Sequence, residues 1–138
     1  MLEIPKKDKE LMVFLTYTYG TIVNPKGVVH PHAWAYVHLR TSAPNWLGIE
    51  ENDVVRATAS PGWQKWIWST LLASLGSGAT GCAYNGKFEP KTSLNLLDAN
   101  KVNVLCCTPT EERLMEKVEH LSKDNLEALH RTVTGREP

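Results

Sequence analysis

Gly20, Thr21 and Lys26 lie within TYTYGTIVNPKGVVH, residues 16–30, where they place backbone N–H, hydroxyl and ammonium donors on a turn after an apolar strand. Donors of those three kinds neutralise a polyphosphate. Lys26 follows Gly20 by six residues, as in a Walker A loop, but Pro25 occupies the second glycine position and Gly27 replaces the Ser or Thr that would hold magnesium. The segment then runs on into a second extended stretch, so no helix N-terminus stands behind the turn. Spacing alone leaves two readings open, a phosphate loop and an ordinary polar hairpin turn.

The other candidates carry less chemistry. His30 and His32 would share one side of an extended chain and could favour a metal, but Pro31 interrupts them and no third ligand is near. They read as surface or capping histidines, and His38, His120 and His130 as isolated ones. Trp63, Trp66 and Trp68 could line an aromatic pocket, although their spacing favours core. Trp63 is the exception, because it lies at a helix start just past a strand end, where ligands approach open α/β sheets. Cys82, Cys106 and Cys107 are odd in number, lack any Cys-x-x-Cys spacing and sit in apolar strand-like runs, which fits reduced packing thiols. No catalytic nucleophile or metal set can be assigned.

The elements that must position these residues alternate. LMVFLTYT (11–18) and GVVH (27–30) read as two strands of a hairpin around the loop. From residue 31 the period becomes helical, with Tyr36, Leu39, Ala43, Trp46 and Leu47 on one face and Pro44 expected to kink or break the helix. VVRATA (54–59) is a strand, after which Ser60 and Pro61 supply an N-cap and first-turn proline for the helix WQKWIWSTLLASL. That helix is apolar nearly all round, as expected of one packed on more than one side.

Gly76 and Gly78 end it, and ATGCAY is the next strand; Pro90 opens a helix over KTSLNLLDANK, and VNVLCC (102–107) is again a strand. Thr108-Pro109-Thr110-Glu111 is a capping box with proline at the first helical position, and Leu114, Met115, Val118 and Leu121 follow on one face. LEALHRTVTG, from 126, reads as a short helix or turn entering a last strand. The fold class is therefore α/β: a front β-hairpin, then alternating strands and helices forming a mostly parallel sheet. The length suits one subdomain over 1–138, with 11–30 as hairpin and 31–138 as alternating core.

Fifteen Lys plus Arg balance fifteen Asp plus Glu, so no net field draws nucleic acid or an anionic membrane. No run of about 18 apolar residues suggests a span, and MLEIPKKDKE does not resemble a signal peptide. The expectation is a soluble, cytoplasmic chain without nucleic-acid or membrane partners.

Taken together, TYTYGTIVNPKGVVH, PGWQKWIW, GATG, VNVLCCTPTEERLM and VTGREP resemble, in order and over nearly the whole chain, the AMP-forming acyl-CoA synthetases of the adenylate-forming superfamily. The likeness is nearest to the acetyl and medium-chain branch, whose loop reads YTSGTTG-x-PKG, whose central helix opens with PGW and whose adenine-side motif reads SAGEP. The resemblance implies ATP and AMP with Mg2+, a carboxylic acid and CoA as ligands. Carried over by position, Thr18, Gly20, Thr21 and Lys26 would contact the ATP phosphates, Trp63, Gln64 and Lys65 would stand near the acyl pocket, and Glu137 and Pro138 would end the adenine-side motif.

The departures are specific. Tyr19 stands for the family's Ser, Ile22 for Thr, Val23 for Gly and Arg136 for the glycine of the adenine-side motif, putting bulk where the family keeps space. The Tyr-Gly-x-Thr-Glu segment, the ribose-binding Asp, the hinge and the C-terminal domain with its adenylation lysine are not among the matched stretches. The expectation is a fragment without ligase activity of its own, the alternatives being a non-catalytic nucleotide- or acyl-binding module and a decayed, truncated product. Uncovered sheet edges would favour a homo-oligomer.

Overall fold

The computed structural model of the chain describes residues 8, 10–18, 24–119 and 126–135. Two antiparallel strands open it: β1 (Met12–Thr18) and β2 (Lys26–Pro31), with Thr18 opposite Lys26 and Leu15 opposite Val29. The hairpin expected from the apolar runs is present, but its apolar side chains remain in solvent, Tyr17 at 66% and Val29 at 57% exposure.

Helix α1 (His32–Ser42) begins directly after β2, and its first N–H, on His32, donates to the Leu11 carbonyl at 3.0 Å. Pro44 does not stop it. The chain widens there into a π-helical segment (Ala43–Leu47), which Gly48 closes in the left-handed conformation, φ 63°, with its N–H on the Ala43 carbonyl. Ala43 and Leu47 are buried as expected and Leu39 packs against them, whereas Tyr36 and Trp46 are exposed. A wider turn rotates every later side chain relative to α-helical spacing, which moves Trp46 off the packed face.

Strands β3 (Val54–Ala57), β4 (Thr80–Cys82), β5 (Val104–Cys107) and β6 (Arg131–Thr134) form a sheet in the order β4-β3-β5-β6, every neighbouring pair parallel. Alternation along VLCC explains why both faces are covered. Val104 and Cys106 join the cluster containing Val55, Ala57, Trp68 and Ala73 on one face, while Leu105 and Cys107 join Leu94, Leu97 and Met115 on the other. Full burial of a valine or leucine side chain is worth about 1.5–3 kcal/mol, so this strand anchors both layers.

The first layer is a continuous helical rod of α2 (Gln64–Trp66), a π segment (Ile67–Ala73) and α3 (Ser74–Gly76). It starts later than Ser60 and Pro61 imply. Those residues make a turn in which the Trp63 N–H donates to the Ser60 carbonyl at 2.9 Å, so Trp63 becomes the cap residue. Small and polar side chains form the buried side, Ser69, Thr70, Ala73 and Ser74, with Trp68 beside them. Thr70 Oγ1 accepts the Ala57 N–H at 3.0 Å, and an added Cβ on Gly81 would lie 2.1 Å from the Thr70 carbonyl oxygen, so helix and sheet touch backbone to backbone. Leu71, Leu72 and Leu75 are exposed, correcting the expectation of packing on several sides. Hydrophobicity around a helix says which faces can be buried, and only three-dimensional neighbours decide which are.

The second layer is α4 (Pro90–Ala99) and α5 (Pro109–Glu116). Glu89 caps α4 by accepting the Lys91 and Thr92 N–H groups, and the hydrogen bonds from Thr92 hold its carboxyl below the usual glutamate range. The capping box at Thr108 and Glu111 is formed in full, as read from TPTE. Of the expected α5 face, Met115 is buried and Val118 packed, Leu114 is exposed, and Leu121 lies outside the described residues.

Candidate ligand cleft at the strand ends

In a parallel sheet the crevice for ligands opens at the carboxyl ends of strands where the connections diverge. Here the chain leaves β3 for β4 on one side and β5 for β6 on the other. A cleft of about 420 Å³ lies at those ends, bordered by Ala59 after β3, Thr108 after β5 and Gly135 after β6. The α1 and α2 side of it is aromatic.

Trp34 is the centre of that wall. His30 tilts against it with ring centroids 4.4 Å apart, His38 stacks on it at 5.2 Å, and Trp68 meets His38 at 4.0 Å. Trp34 and His38 are one helical turn apart on α1, which places them on one face, and His30 reaches the same wall from the end of β2. Burial first, and then the neighbouring charge of His30, lower the affinity of His38 for a proton, so its imidazole is neutral near pH 7. Its Nδ1 lies 2.9 Å from Ser42 Oγ.

The structure brings the three tryptophan-helix candidates to this cleft. Trp63 is half exposed at its mouth, at 51%. Gln64 Nε2 lies 3.3 Å from His30 Nε2, and Lys65 Nζ donates to the Cys107 carbonyl at 2.8 Å, across the end of β5. An added Cβ on Gly135 would lie 2.9 Å from that same ammonium, so Lys65 sits between the ends of β5 and β6. Indole and imidazole walls with an amide and an ammonium at the rim suit an apolar group that carries a polar or anionic end.

Of the hairpin candidates, Thr18 and Lys26 stand opposite each other at the base of the loop, while Gly20 and Thr21 lie outside the described residues. Tyr19, Ile22, Val23, Arg136, Glu137 and Pro138 lie outside them too. His30, read as a surface or capping residue, and His38, read as isolated, are corrected to walls of the cleft, and Trp34 was not singled out at all. The spacing of four between Trp34 and His38 was the available signal, whereas His30 comes from the end of β2. Cys106 and Cys107 are buried and unpaired, as expected. Burial, reinforced by the nearby Glu112 charge, pushes the Cys107 thiol up to about 12, and burial raises Cys106 as well, so neither presents a thiolate near neutrality.

Residues 2–138 match the family model described as AMP-binding enzyme. An uncharacterized acyl-CoA ligase, YtcI, of Bacillus subtilis (strain 168) is 60% identical over 127 residues, covering 92% of this chain and 24% of the relative. The acetyl-coenzyme A synthetase of the same organism is 31% identical, covering 99% of this chain and again 24% of the relative. Among solved structures, the anthranilate CoA ligase AuaEII in complex with anthranoyl-AMP superposes with a TM-score of 0.86 at 23% identity, over 99% of this chain and 27% of that one, a likeness of fold. The chain therefore belongs to the AMP-binding enzymes, in their acyl-CoA synthetase family, and corresponds to a fragment about a quarter the length of the relatives it matches.

Proposed function

We propose that this chain supplies one wall of an acyl-adenylate site, with the cleft receiving the acyl group and the β1–β2 loop receiving the phosphates of ATP. The observation that carries the reading is the convergence of Trp63, Gln64 and Lys65 with His30, Trp34 and Trp68 at the strand ends. Thr18 and Lys26 flank the loop, and β2 runs from Lys26 directly to His30 at the cleft, so one short strand links the two halves of the site. Lys26 would neutralise phosphate charge, and Lys65 would hold an acyl or carboxylate oxygen at the rim while the indoles exclude water. Glu137 and Pro138 would contribute on the adenine side.

In full-length members the reaction joins a carboxylate to ATP with loss of pyrophosphate and passes the acyl group to CoA. Magnesium would arrive with the nucleotide; among the described residues no group of three or more His, Cys, Asp or Glu could hold a metal ion. No described helix is long and apolar enough to cross a membrane, and we place the reaction in the cytoplasm.

The chain spans only 24% of these relatives' length, so we expect ligand binding without turnover. Calorimetric titration with ATP and with a non-hydrolysable acyl-AMP analogue should give saturable binding of the analogue. Lys26→Ala should weaken the nucleotide and Trp63→Ala the acyl portion. Pyrophosphate release from ATP, CoA and acids from acetate to octanoate should stay at background. Absence of analogue binding overturns the reading of the cleft, and steady turnover overturns the reading of a partial site.

A further inference from the structure

Arg56 is a charged residue in the middle of a central strand. It is 4% exposed, and strand alternation points it to the face shared with Val54 and with Leu105, its partner on β5. Its Nε and Nη1 are buried and have no hydrogen-bond partner. The guanidinium lies 5.4 Å over the Tyr84 ring, a contact that favours the cation but does not accept its in-plane N–H groups. An arginine cannot shed its proton to escape burial, so a buried and unpaired one calls for an anion. Among the described residues no carboxylate forms an ion pair with it, and Glu111 turns its Oε2 to the Thr108 N–H at 2.9 Å and the Thr58 hydroxyl at 2.5 Å instead.

Beside Arg56 is a cavity of about 250 Å³ between the end of β3 and residues 84–88. Thr58, Ser60, Tyr84 and Lys87 line it with Arg56, and no carboxylate is among its described lining residues. Hydroxyls and two cations around a small volume form a donor set without an acceptor charge. We propose that this cavity binds a phosphate-class oxyanion, with Arg56 as the anchor and Lys87 at the rim. A tetrahedral oxyanion can take two parallel N–H bonds from one guanidinium and further bonds from hydroxyls and the ammonium. The cavity shares only Ala59 with the lining of the aromatic cleft and does not depend on the acyl-adenylate reading.

The phosphate could be free or the terminal group of a nucleotide, and titrations of the chain with inorganic phosphate and with AMP, at constant ionic strength in chloride, separate the two. Saturable binding of inorganic phosphate is expected, and Arg56→Met should weaken it by about tenfold or more, the scale of a lost charge-assisted bond. Lys87→Glu is the second variant; it changes an exposed side chain, so it should keep the fold, as circular dichroism will check, and should weaken phosphate in the same direction. Absence of saturable binding of both inorganic phosphate and AMP overturns the proposal, as does binding of either that a folded Lys87→Glu leaves unchanged. If AMP alone binds, and Lys26→Ala abolishes it while Lys87→Glu does not, phosphate recognition belongs to the hairpin and the proposal is likewise overturned.

Discussion

The hairpin and the parallel sheet are both built from apolar β-formers, yet only one of them has a core. Along β5 all four side chains are buried, whereas along β1 and β2 Met12, Leu15, Tyr17 and Val29 stand in solvent. Composition does not separate the two. The difference lies in layers: helices cover both faces of β3 and β5, and two strands without a covering layer cannot remove their own faces from water. The region with phosphate-loop residues is thus the one that contributes least to its own stability, and the cleft walls rest on the region that contributes most.

Paired substitutions break or sharpen that contrast. The largest effect is expected for Val104→Asp, a carboxylate in a fully buried position, which should cost more than about 4 kcal/mol and abolish cooperative unfolding. Val29→Asp in the hairpin should cost about 0.5 kcal/mol or less by urea titration. Equal losses would mean that the hairpin belongs to the same cooperative unit as the sheet.

Next comes Gly81→Ala, whose methyl would meet the Thr70 carbonyl oxygen at 2.1 Å. Overpacking against backbone should cost about 2–3 kcal/mol, and an unchanged melting temperature would refute the close helix–sheet approach. Thr70→Val removes the acceptor of the buried Ala57 N–H and should cost about 1–2 kcal/mol by the same titration.

The smallest effect is a pH slope from the cleft. Burial and the His30 charge hold the proton affinity of His38 below that of the unfolded chain, so the unfolded state binds more protons as pH falls through the ordinary histidine range. Stability should therefore decline from pH 7 to pH 5.5, and His38→Gln should flatten that decline. An identical slope in the variant would assign it elsewhere.

Much of the fold was legible because it depends on short-range rules. The capping box at Thr108 and Glu111, the alternation in VLCC and the helix stop at Gly76 each need only a few adjacent residues. The misread positions share another property. Leu71, Leu72 and Leu75 look like core because side-chain chemistry allows burial, and Trp46 because α-helical spacing was assumed through Pro44; His38 reads as isolated because its aromatic partner Trp34 is a helical turn away rather than adjacent.

By itself the sequence determined an alternating α/β chain, the ends of most of its helices and, through ordered motifs, its likeness to acyl-CoA synthetases. Those features follow from backbone sterics, caps and side-chain periodicity, which act over a turn or a strand. Tertiary structure decided the rest: the order β4-β3-β5-β6 brings His30, Trp63, Thr108 and Gly135 to one cleft and puts a strand arginine beside an anion-sized cavity. Such convergence is set by which strands pair, and pairing is fixed by burial summed over both layers rather than by any local stretch.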